Sequence, residues 1–283
     1  MIVVQWPVRW TGPAKAAATA APNGDARAME APAGRTSQEP VETSPRLIAY
    51  FPLADAAIPV DLLDLYAEAG VDVVEFGWPA RAPYLDGPDV RASMARAARG
   101  DPHAAFAAAR RRLANHRKAP KALIMSYAEE GHPALIDPAF YREAAAALVV
   151  APANDALRHE IEARAVNAGA ALSSFVTLPI TSADIAAARR ATEYVMLQAV
   201  AGVTGPRESL DPDNRPRIAA LRASGVEAPI VLGFGVSNGE QARAAVDFGA
   251  DGVVVGSAVL RAALNGRAEL AALLRQLREG LDG

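Results

Sequence analysis

The stretch from Val73 to Pro88 holds two carboxylates, Glu75 and Asp86, in a setting that could do chemistry. Glu75 sits where a short apolar run, Val71-Asp72-Val73-Val74, should end as a buried strand. Gly77, Pro79, Pro83, Gly87 and Pro88 cannot continue strand or helix, so they form a shaped loop, and Asp86 lies inside it. Two acids, one on a strand end and one on the loop that follows, can face one small pocket. That is an arrangement for general acid–base work. Each acid alone has a plainer reading. Glu75 could be a solvated strand-end charge or a partner of Arg81, and Asp86 an Asp-Gly turn residue.

A second kind of chemistry is written further along. Ala201-Gly202-Val203-Thr204-Gly205, Gly233-Phe234-Gly235-Val236-Ser237 and Gly256-Ser257-Ala258 each follow a candidate strand. Glycine lets backbone N–H groups approach and point at an anion, and Ser257 adds a hydroxyl donor. Gly256-Ser257 also precedes a plausible helix start at Ala258-Val259-Leu260, where the helix dipole favours negative charge. A single Gly-x-Gly is usually only a turn. Three such loops in succession read as a phosphate cradle, which identifies a phosphate but no particular substrate.

The elements that must position these groups alternate. Leu47–Phe51, Val71–Phe76, 122–125, 147–150, Ala171–Val176, 194–199, 230–232 and 252–255 read as buried strands. Val60–Ala69 has helical spacing and stops at Gly70, and helices are expected near 104–116 and 138–146. About eight βα units predict an α/β fold of the (β/α)8, or TIM barrel, type. A doubly wound open sheet is the second choice. In such barrels the chemistry sits on loops after the strands' carboxyl ends, where Asp55, Glu75, Asp86, Tyr127 and the glycine loops all fall.

Composition narrows the function classes. The chain has 283 residues, 51% hydrophobic, enough for one large core. Its net charge of -3 gives no basic field for nucleic acid. With no cysteine and only 4 histidines, none in a His-x-x-x-His pair, neither thiolate chemistry nor a histidine-rich metal site is expected. No apolar run is long enough to span a bilayer, so neither a membrane nor a nucleic acid is an expected partner. Residues 1–45 are rich in Ala, Pro, Gly, Ser and Thr without periodicity. They read as a disordered leader, lacking the hydrophobic core of a secretory signal, ahead of a catalytic barrel over 46–283.

Glu75-x-Gly77-x-Pro79, then Asp86-Gly87-Pro88, resembles the tryptophan synthase α subunit family, a (β/α)8 barrel. The Gly202-Val203-Thr204-Gly205 loop, Gly233-Phe234-Gly235 and Gly256-Ser257 follow in the family's order, so the resemblance runs from about Leu47 to Leu260. It implies a cytoplasmic enzyme of tryptophan biosynthesis. That enzyme is a carbon–carbon lyase cleaving indole-3-glycerol phosphate to indole and glyceraldehyde 3-phosphate without cofactor or metal. It implies that Glu75 transfers the protons and that Asp86 stabilises charge on the indole ring. Tyr50, Asp55, Tyr127 and Thr204 would bind substrate, and Gly205, Phe234, Gly235, Gly256 and Ser257 its phosphate. It also implies a β-type partner subunit. The loop that would meet this partner departs from the family pattern, reading Pro79-Ala80-Arg81-Ala82-Pro83 with an aromatic, a serine and an aspartate gone, and Glu129 stands where the family has asparagine. Two other readings stay open: a lyase or isomerase acting on another phosphorylated compound, and a barrel serving only as a regulatory subunit.

Overall fold

In a computed structural model, which describes residues 44–200 and 209–283, eight parallel strands close into a barrel in sequence order. The strands are β1 (Arg46–Pro52), β2 (Val73–Gly77), β3 (Lys121–Tyr127), β4 (Ala146–Val150), β5 (Ala171–Val176), β6 (Val195–Gln198), β7 (Ile230–Gly233) and β8 (Gly252–Val255). They are mostly apolar and buried because both faces are covered, the outer by helices and the inner by the rest of the barrel wall.

A 3-10 turn (Val60–Leu62) leads into α1 (Leu63–Glu68) between β1 and β2. Then come α2 (Pro88–Ala97) and α3 (Pro102–Leu113), α4 (Pro133–Ile136), α5 (Ala156–Asn167) and α6 (Ser182–Ala188). After β6 follow α7 (Asn214–Ala223), α8 (Gly239–Asp247), α9 (Ser257–Asn265) and α10 (Arg267–Asp282). Local chemistry sets several starts. Asp101 and Asp155 accept from backbone N–H groups at the head of α3 and α5, and Thr181 with Asp184 forms a reciprocal capping box on α6.

The expected eight strands are all present. The helices need correction. No helix forms over 138–146, which instead runs through turns from Asp137 to β4, and the helix of this unit is the short α4. The helix expected at 104–116 starts earlier, at Pro102 on its Asp101 cap, and ends at Leu113. Between Gly87 and Ala97, a helix that the sequence reading does not name, α2, opens at Pro88, a position that tolerates its missing N–H.

The barrel seam is tight. Arg46 of β1 faces Gly252 of β8, and a side chain at 252 would put its Cβ 2.2 Å from the Arg46 carbonyl oxygen. At the opposite end from the glycine loops, Arg46 and Lys121 both bind the Glu193 carboxylate, tying β1, β3 and the approach to β6. Among the described residues no helix is long and apolar enough to cross a membrane.

Candidate active site

Strand β2 delivers Glu75 inward. Successive strand residues alternate sides, so Val74, Phe76 and Trp78, its neighbours in sequence, turn away from it. Phe76 packs edge-on against Phe51 and Phe106, and Trp78 against His103 and Phe140. The residues that flank Glu75 in sequence therefore do not provide its apolar surround. The surround comes from other strands, through the cavity wall formed by Met125, Phe175, Met196 and Val254 of β3, β5, β6 and β8.

Glu75 is only 4% exposed, and its Oε2 accepts a hydrogen bond of 2.8 Å from the Tyr194 hydroxyl. Burial pushes its carboxyl up to about 7. The Tyr194 hydrogen bond opposes this, and the nearby Asp86 charge adds to it. Arg81, the alternative partner, lies elsewhere, its backbone N–H donating to the Glu129 carboxylate at 3.1 Å.

The loop after β2 folds back to bring Asp86 to the same space. The Asp86 N–H closes a turn onto the Pro83 carbonyl, and the Arg91 guanidinium of α2 grips the carbonyls of Pro83 and Tyr84. Asp86 is buried and accepts a 2.7 Å hydrogen bond from the Tyr127 hydroxyl, while the Tyr84 ring stacks edge-on over Tyr127. Burial raises its carboxyl to about 6, against the lowering effects of Tyr127 and Arg91.

Glu75 and Asp86 line one cavity. Tyr50, Tyr127, Phe234, Gly235, Gly256 and Ser257 line it too. The left-handed backbone in the loop after β7 falls on Phe234 (φ 69°) as well as Gly235 (φ 103°), whereas Gly256 has φ -102°. A non-glycine residue held there marks stored strain, and it turns the Phe234 ring to stack on Phe175 at 5.2 Å. Gly256 caps α9, whose first residue is Ser257, so the cavity wall includes a helix N-terminus.

Asp55 does not join this group. It is absent from the cavity lining, and its carboxylate is taken up by Arg96 (2.8 and 2.6 Å), Ser93 (2.6 Å) and the Ala57 N–H (3.0 Å). Burial alone would raise its pKa, but these hydrogen bonds and the Arg96 charge together pull it below the ordinary value. Asp55 is thus committed to fastening the loop after β1 to α2, the helix that anchors the Asp86 loop. Thr204 and Gly205 lie outside the described residues.

Tyr194 and the wall residues Phe175 and Met196 do not stand out in the sequence. A signal for Tyr194 was present, since it lies two residues before Met196 and so shares the inward face of its strand.

A profile of the family described as tryptophan synthase alpha chain matches residues 38–280. The tryptophan synthase alpha chain of Geobacter sulfurreducens is 35% identical over 243 residues, covering 80% of this chain and 89% of that one. The alpha chain of Archaeoglobus fulgidus is 32% identical over 245 residues, covering 82% and 95%. Among solved structures, tryptophan synthase from Mycobacterium tuberculosis superposes with a TM-score of 0.71 at 24% identity, over 85% of this chain and 93% of that one. At that identity the superposition speaks for the barrel, and the sequence matches carry the kinship. With a profile spanning most of the chain, relatives above 30% identity over four-fifths of it, and a barrel gathering two buried acids and a glycine-lined wall, the chain belongs to the tryptophan synthase alpha chain family.

Proposed function

We propose that this chain is the carbon–carbon lyase its family name implies, cleaving indole-3-glycerol phosphate to indole and glyceraldehyde 3-phosphate. The observation that carries this reading is the sharing of one cavity by two acids of raised pKa and the Gly235, Gly256 and Ser257 wall. The phosphate sits against that wall, on backbone N–H groups, the Ser257 hydroxyl and the start of α9. In this reading the family resemblance adds Thr204 to the substrate-binding residues and Gly205 to the phosphate-binding ones. The indole ring lies among the apolar side chains, between the acids.

Glu75 begins protonated and delivers its proton to indole C3, which places positive charge on the ring. Ionised Asp86 faces the ring N–H and stabilises that charge. Glu75, now a carboxylate, takes the proton of the hydroxyl on the adjoining carbon. The bond from that carbon to C3 breaks, its electrons return to the ring, and the carbon becomes the aldehyde. One group can do both transfers because its pKa lies near neutrality. Tyr194 holds Glu75 in place and Tyr127 holds Asp86. The protein's own groups supply every proton in this scheme.

The catalytic unit is the barrel from residue 46, residues 1–45 being a leader to it, and the enzyme works in the cytoplasm. A β-type subunit is the partner that the family implies. Arg81 and Ala82, on the altered loop that would meet it, are exposed, and the loop is tied within this chain by Arg81 to Glu129. The altered composition of this loop favours indole release by the chain alone. Indole formation is to be followed with and without an added β subunit. Release without the partner is expected, and substrate binding without indole under either condition would instead support a non-catalytic subunit.

A further inference from the structure

We propose that the Tyr50 hydroxyl selects substrates whose aromatic ring carries an oxygen substituent, an inference that rests on the lyase reading and deepens it. Three tyrosines border the two acids. The Tyr194 hydroxyl is committed to Glu75 and that of Tyr127 to Asp86. The Tyr50 hydroxyl has no hydrogen-bond partner among the described residues, although the residue is 2% exposed and lines the cavity.

Its placement is defined at both ends. Tyr50 stands in register with Glu75 across β1 and β2. A Cβ on Gly256 would lie 3.9 Å from the Tyr50 Cβ, so the stem of the side chain stands beside the anion wall. A Cβ on Gly77 would lie 2.3 Å from the Tyr50 hydroxyl oxygen, so the tip reaches the end of β2. Only glycine at 77 leaves room for it. The polar tip therefore lies on the acids' side of the cavity, where the aromatic part of the substrate belongs, away from the phosphate.

Apart from the two acids and the tyrosines bonded to them, that region is hydrocarbon and thioether, from Leu85, Met125, Phe175 and Met196. Plain indole offers no acceptor there. Its N–H is a donor, and Asp86 is the better partner for it. A buried phenol without a hydrogen-bond partner carries a penalty that a ligand lacking an acceptor leaves in place. A hydroxyl or ether oxygen on the six-membered ring, reached by a small rotation of the ligand or tyrosine, removes it. Sites that hold a buried polar group discriminate against the analogue leaving it unpaired more strongly than apolar pockets discriminate by size.

The test compares wild type with Tyr50→Phe in equilibrium binding of unreactive indole-3-propanol phosphate and its counterparts hydroxylated at each carbon of the six-membered ring. Wild type should bind at least one hydroxylated ligand about tenfold more tightly than the parent. Tyr50→Phe should abolish that preference and bind the parent several-fold more tightly than wild type does. Equal wild-type affinities for all ligands, or a preference that survives in Tyr50→Phe, would overturn the proposal. Indole release from unsubstituted substrate is scored separately. A preference in binding without any cleavage would remove the lyase reading and leave the role of Tyr50 standing.

Discussion

At the scale of single residues, the site is two carboxylates each held by one tyrosine and each lifted by burial. The order of their pKa values, about 6 for Asp86 and about 7 for Glu75, is what the chemistry asks for. Asp86 must be ionised and Glu75 protonated at the start, so kcat/KM should trace a narrow bell with apparent limbs near these values, titrating as a coupled pair. The two tyrosines allow the limbs to be moved one at a time. Each hydroxyl stabilises the ionised form of its carboxylate, so its loss raises that carboxylate's pKa. Tyr127→Phe should move the acidic limb up by about one pH unit, and Tyr194→Phe should do the same to the alkaline limb. Limbs that stay in place in both variants would separate the tyrosines from the titrating groups.

At the scale of elements, β2 and its loop bring both acids to one place, and the barrel closure holds them there. Gly252 is the position where that closure is least forgiving. Gly252→Ala forces a Cβ against the Arg46 backbone, and should cost about 3 kcal/mol or more in denaturant unfolding. A variant as stable as wild type would show that the seam yields. Much of this level was legible in the sequence. Buried runs such as Val253-Val254-Val255 mark strands whatever their partners, and Gly256-Ser257 before an apolar run marks a helix start. What was not legible depends on contacts distant in sequence. The apolar surround of Glu75 comes from other strands of the barrel, since its neighbours Phe76 and Trp78 pack on the outer side. The committed state of Asp55 depends on Arg96 and Ser93, about forty residues further along the chain on a separate helix. Tyr194 meets Glu75 across 119 residues of chain, which spacing along one strand cannot report.

For the whole molecule, holding Glu75 ready for proton transfer carries a cost in stability. Its carboxyl binds a proton more tightly folded, at about 7, than at the ordinary 4.5. The folded state is therefore favoured by protonation. Glu75's contribution is fully present below about pH 4.5 and is lost as pH rises through 7. Glu75→Gln keeps the shape and an acceptor for Tyr194 but cannot ionise. It should be more stable than wild type by about 3 kcal/mol at pH 8, with the difference vanishing towards pH 4.5. Urea unfolding at the two pH values measures this, and an equal difference at both would mean that ionisation is not its source. The same variant tests the function most directly. Indole release from indole-3-glycerol phosphate is to be measured in a single turnover at pH 6.5, with substrate binding measured on the same protein. We expect wild type to release indole, and Glu75→Gln to bind substrate within a few-fold of wild type while releasing it about a thousandfold more slowly. A variant that releases indole at the wild-type rate would contradict the assignment of the proton transfers to Glu75.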